Sequence, residues 1–157
     1  MDKSSPDTKA SNEIAAIAGE LLEKLSFSEA KVEAQVKDET VTLEINVEGE
    51  AGILIGYHGE ILEAFQLILS LIAYRRQGSW QKIQVNINDY LGQRREQLEA
   101  MASKIAEEVS QTKKSQVLPY LSANERRMVH EFLSGSDQVS SESIGEGRQR
   151  RLVISPK

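Results

Sequence analysis

The sequence predicts an α+β chain of two small modules joined by a long helix. Three observations predict it. Residues 31–47 and 83–87 alternate apolar and polar side chains, as half-buried strands do, and the stretches around them repeat apolar residues every three or four positions, as amphipathic helices do. The charge also divides along the chain: residues 1–74 hold 5 Lys and 14 Asp or Glu, whereas 75–157 hold 14 basic and 10 acidic residues, within a net charge of −5. A field of that shape favours an anionic partner at the second half, although charge of either sign also serves solubility.

Residues 1–11, rich in Ser, Asp and Lys, read as a disordered tail. Asn12 then caps a helix whose apolar face is Ile14, Ile17, Ala18, Leu21, Leu22 and Leu25. Val32, Ala34 and Val36, then Val41, Leu43, Ile45 and Val47, mark two antiparallel strands joined at Lys37 to Thr40, one face wet and one buried. Glu50 to Ile55 allows barely more than one helical turn before Gly56. A longer helix from about Glu60 to Tyr74 follows, with Arg75 and Arg76 suiting its negative end. Ile83, Val85 and Ile87 complete an αββααβ order over residues 12–88.

The second module spans 89–157 and begins with the connecting helix. Asp89 is its expected cap, and Leu91, Leu98, Met101, Ala102, Ile105 and Val109 lie on one face. A short extended piece around Val117 stops at Pro119, and a helix runs from a Ser122 or Asn124 cap to Gly135. Two strands around a Gly145 to Gly147 turn finish a small α/β unit with a three-stranded sheet.

Composition narrows the chemistry. There is no cysteine, so disulfides and thiolate metal sites are excluded and a reducing compartment is the natural home. With two histidines, no Walker loop and no carboxylate cluster at metal spacing, no metal, cofactor or catalytic residue is expected. The polar start lacks the apolar core of a signal peptide, and Ile61 to Tyr74 is too short to span a bilayer. A cytoplasmic chain without direct membrane insertion is expected.

Two motifs carry the functional reading. In "GILIGYHGE", a helix, Gly56-Tyr57-His58-Gly59 and a second helix follow one another. Glycines allow positive φ and remove Cβ atoms that would hold a ligand away, and the start of the second helix offers N–H groups to a phosphate. Ile53, Leu54 and Ile55 supply an apolar floor for bases. A plain helix–turn–helix, with Gly56 as C-cap and Gly59 in the turn, accounts for the same letters. In its αββααβ setting, "GILIGYHGEILEAFQLILSLI" resembles the bacterial-type (type II) KH domain. The resemblance implies that Gly56, Tyr57, His58 and Gly59 clamp a short run of single-stranded RNA. KH loops usually place Lys or Arg between the glycines; Tyr57 and His58 leave this loop without a permanent cation.

In "NERRMVHEF", Arg126 and His130 stand four residues apart, on one helix face, where a guanidinium fork and an imidazole can hold one phosphate. A surface pair or a helix cap explains that spacing as well. Followed by "VSSES", "GEG" and "RRLVI", it resembles the R-three-H domain, a single-stranded nucleic-acid binder. The resemblance implies Arg126 and His130 as signature residues with Arg127 beside them, and Ser140, Ser141, Arg150 and Arg151 completing the surface.

KH followed by R-three-H resembles the bacterial Jag family, also called SpoIIIJ-associated or KhpB proteins, over about residues 13–155. Its implication is a member without the additional N-terminal domain that many carry, binding single-stranded RNA or DNA as a post-transcriptional regulator or RNA chaperone, with a small KH protein as a further partner. An RNA-independent protein scaffold and a phosphodiester-cleaving enzyme, with His130 as acid or base beside Arg126, are the other readings.

Overall fold

The computed structural model describes residues 6–157, with side chains from Lys9 onward. Two compact units divide between Leu91 and Gly92.

In the first unit, helix α1 (Pro6–Lys24) begins ahead of the expected cap at Asn12, so residues 6–11 are helical and not a tail; residues 1–5 lie outside the described residues. Proline suits a first helical position, where its fixed φ is helical and its missing N–H is not needed. Gln77 Nε2 donates to Ala10 O at 3.1 Å and to Glu13 Oε2 at 3.2 Å, and Ser11 is buried, which ties this turn down. Ile14, Ile17, Ala18 and Leu22 point into the core, but Leu25 lies beyond the last helical residue and is exposed.

Strands β1 (Lys31–Lys37) and β2 (Thr40–Asn46) form the expected hairpin. Asp38 and Glu39 adopt φ of 48° and 61°, the left-handed pair whose twist matches that of the strands. Short α2 (Ala51–Ile55) and α3 (Glu60–Gln77) then cross over to lay β3 (Lys82–Ile87) parallel to β2, giving a sheet ordered β1-β2-β3. Leu43 and Val85 are register partners, as are Ile45 and Ile87, and all four are fully buried against α1 and α3 residues such as Ile17 and Leu69. Val85 N–H, on the outer strand, donates to Gln66 Oε1 of α3 at 2.9 Å.

Residues Ala51–Gln77 are long and apolar enough by composition to cross a membrane, which the narrower 61–74 stretch did not suggest. Folded, this segment is broken at the glycine loop, and Leu54, Leu62, Phe65, Leu69 and Ala73 enter the core.

Helix α4 (Tyr90–Thr112) follows. Asp89 is not its cap: its φ of 54° is left-handed, whereas an N-cap is extended. Asn86 Oδ1 instead accepts from Leu91 N–H at 3.1 Å. In the second unit, β4 (Gln116–Val117), α5 (Ala123–Leu133), β5 (Val139–Ile144) and β6 (Arg151–Pro156) complete an antiparallel sheet ordered β4-β6-β5. Leu98, Ala102 and Val109 of α4 and Val129 and Leu133 of α5 pack with Val139, Leu152 and Ile154. Gly145 has φ of 93°, and a Cβ there would lie 3.3 Å from Gln149 O, so the turn between β5 and β6 needs glycine.

Candidate nucleic-acid interface

Helix α5 is fixed at its start. Of the two candidate caps, Ser122 serves: its Oγ accepts from Glu125 N–H at 3.3 Å, and Glu125 Oε2 accepts from Ser122 N–H at 2.8 Å. The buried Glu125 also accepts from Arg94 Nε of α4 at 2.7 Å through its other oxygen. The capping pair and the ion pair together set the rotation of α5, and with it the direction of the next side chain.

That side chain is Arg126, half-buried, whose Nη1 donates to Leu121 O at 2.7 Å. One donor anchors the guanidinium and the rest of the fork remains for a ligand. One turn later His130 Nδ1 lies 2.8 Å from Ser141 Oγ on β5. Arg126, Arg127, His130, Ser141, Ser143 and Arg150 line one open cavity of about 520 Å³, with Glu142 also at its edge. Arg127 Nε is paired to Glu131 Oε1 at 2.8 Å in the solvated i,i+4 manner, so part of its charge is answered within α5.

Two expected members are not in this cavity. Strand residues alternate between faces, and Leu152 and Ile154 of β6 point into the core. Arg151 is therefore turned to the opposite face, where it lies 5.4 Å over the Tyr120 ring. Ser140, register partner of Ser155, goes with it. Ser143, two residues on from Ser141 along β5, shares the cavity; the same alternation, read from "VSSES", marks it in the sequence.

The glycine loop differs from its expectation in three ways. Gly56 (φ 72°) and Gly59 (φ 81°) do need glycine, but the space a Cβ would take is already filled from within: at Gly56 it would lie 2.5 Å from Ile61 Cγ1, and at Gly59 3.3 Å from the Tyr90 ring. The apolar floor is smaller, because the α2 turn sends Leu54 into the core and leaves Ile55 half-buried, so only Ile53 is exposed. Between residues 49 and 63 the chain holds Glu50, Glu60 and Glu63 and neither Lys nor Arg, and Glu60 and Glu63 occupy the first turn of α3. Their carboxylates meet the positive helix end that a phosphate would otherwise satisfy. Tyr57 is exposed and stands edge-on to half-buried His58, ring centroids 4.1 Å apart; His58 itself has φ of 51°.

Elsewhere in the first unit, the outer side of α3 exposes Leu67, Ile68, Leu71 and Tyr74, a stripe at helical spacing. Among the described residues, no three His, Asp or Glu side chains gather as metal ligands would.

Comparison with known families matches residues 13–87 to the KH domain of KhpA and KhpB, and residues 96–156 to the R-three-H domain. The chain carries a KhpA/KhpB-type KH domain followed by an R-three-H domain. Its relatives include the RNA-binding protein KhpB of Bacillus subtilis, 35% identical over 130 residues, covering 81% of this chain and 62% of the relative. The RNA-binding protein KhpB of Streptococcus pneumoniae serotype 2 is 32% identical over 126 residues, covering 80% of this chain and 38% of the relative. That of Clostridium symbiosum is 33% identical over 116 residues, covering 73% and 52%. The chain thus spans about three-fifths or less of the length of these relatives.

Proposed function

We propose that this chain binds single-stranded RNA without catalysis, gripping phosphate chiefly in the cavity between α5 and the β5–β6 strands. The observation that carries this reading is the convergence of Arg126, Arg127, His130 and Arg150 with two serine hydroxyls around one open space. A guanidinium anchored by one donor binds a phosphate at little further ordering cost, and imidazole and hydroxyls supply further polar contacts beside it. The relatives' shared description as RNA-binding proteins supports RNA as the ligand.

The KH module, residues 12–88, is the secondary contact through Gly56, Tyr57, His58, Gly59 and the exposed Ile53, weakened by Glu60 and Glu63. The R-three-H module with its connecting helix, residues 89–157, is the primary one. Linking two weak contacts on one strand raises the effective concentration of the second. A cytoplasmic post-transcriptional regulator or RNA chaperone fits such a grip.

Fluorescence anisotropy with a labelled single-stranded RNA octamer tests it. Binding that weakens with salt and with Arg126→Ala is expected; a folded Arg126→Ala variant that binds as wild type would refute the assignment.

The exposed α3 stripe favours a second interaction, with protein. We place there the small KH protein that the family resemblance suggests, on the side chains of Leu67, Ile68 and Leu71. An apolar stripe left exposed on a helix is a surface for another helix or sheet, not for phosphate.

A further inference from the structure

The sheet of the second unit has two faces, and the RNA grip uses only one side of it. Helices α4 and α5 cover the face of Val139, Leu152 and Ile154. The register sets the other face: Val117 opposite Val153, and Ile144 opposite Arg151. It remains open, with Val117 65% and Ile144 52% exposed.

Arg151 is unusually well held there. Its guanidinium lies over the Tyr120 ring at 5.4 Å, and Nη1 donates to Arg148 O at 2.7 Å and Arg150 O at 3.1 Å. The aromatic ring and the two carbonyls restrict the guanidinium, and exposed Ile144 is its cross-strand neighbour. A guanidinium is weakly hydrated on its faces, and a planar cation held in one orientation is a surface on which an unpaired base stacks.

We propose that Arg151, backed by Tyr120, is a base-stacking platform for single-stranded RNA on the open face of the β4-β6-β5 sheet. The inference rests on the RNA-binding reading of the cavity across the sheet. Arg150 borders that cavity and Arg151 is the next residue, so the start of β6 is where a strand leaving the phosphate grip reaches the other face. Phosphate is taken on one side and a base on the other.

Arg151→Lys separates stacking from charge, because lysine keeps the cation and loses the plane. The probes are a uridine octamer of single-stranded RNA and an abasic ribose-phosphate chain of equal length. Stacking predicts that Arg151→Lys weakens the uridine octamer about 5-fold or more, with the salt slope and the abasic affinity unchanged. Equal weakening on both probes, or none on either, overturns the platform while leaving the phosphate grip standing. Wild type that binds neither probe overturns the RNA reading itself. Should Arg151→Lys lower the melting temperature, the wild-type protein supplies the test: its Arg151 Nε–Hε proton resonance moves upfield with the uridine octamer and not with the abasic chain, and no such difference overturns the platform.

Discussion

Replacing Arg126 by alanine is the perturbation with the most defined consequence. The side chain is half-buried, one of its donors is committed to Leu121 O, and the remaining fork faces a cavity open to water. A hydrogen bond to a charged group contributes about 1.5–3 kcal/mol, and solvent screening lowers this one to about 1–2 kcal/mol. At 1.4 kcal/mol per tenfold, the dissociation constant should rise about 5- to 30-fold. Each phosphate contact on a single strand contributes about 0.7 to the slope of log K against log salt, so the slope should shrink by about that amount. Anisotropy titrations at four salt concentrations read both quantities. The substitution also strips a partner from Leu121 O, so a thermal melt accompanies it; a loss of about 1 kcal/mol in stability is expected from that bond alone. Arg127→Ala is the internal comparison, since Glu131 already answers its charge, and it should weaken binding less. A folded Arg126→Ala protein with unchanged affinity and unchanged salt slope would rule out a phosphate contact at Arg126.

Other expectations follow from the same geometry. Gly56→Ala should destabilise the first unit by about 1–3 kcal/mol, through its positive φ and the 2.5 Å approach to Ile61 Cγ1; in urea unfolding, Ile61→Ala should relieve the clash with Cγ1 and Cδ1 only, because alanine keeps the Cβ that lies 2.9 Å away, and should leave the backbone part. Glu60→Gln with Glu63→Gln should tighten RNA binding about 2- to 5-fold by freeing the helix end beside the loop, and anisotropy showing weaker binding would argue that the loop makes no phosphate contact. Glu125→Gln should lower stability by about 1–3 kcal/mol, since the buried carboxylate serves both Ser122 N–H and Arg94; a melt unchanged within error would contradict that role. Leu67→Glu with Leu71→Glu should abolish association with a small KH protein in gel filtration while leaving RNA affinity intact.

Much of the fold is legible because its signals are local. Alternation over 31–47 marks the hairpin and that over 83–87 a third strand; its parallel place beside β2 is visible only in the structure, because element order does not fix which strand it joins or in which direction. The start of α1 is not legible: residues 6–11 are polar, and what holds them is Gln77, far along the chain. Asp89 is the right residue type for a cap, but Asn86, five residues before Leu91, reaches the free N–H first. In the candidate interface, Arg126 and His130 follow directly from helical spacing. Ser140 and Arg151 leave the cavity by strand alternation, whose phase depends on which neighbours, Leu152 and Ile154, enter the core. The loop glycines are the sharpest lesson. Their need for glycine is readable, yet the partners that fill the cleared space, Ile61 and Tyr90, belong to the chain itself.

On the proposed reading, phosphate is held on the α5 side of the second unit in preference to the glycine loop. Titrating isotope-labelled protein with a single-stranded RNA octamer and following backbone amides by NMR tests it most directly. The largest shifts are expected at Arg126, His130, Ser141 and Arg150, with smaller ones at Gly56 to Gly59. Shifts confined to Gly56 to Gly59, or none at all, would contradict it.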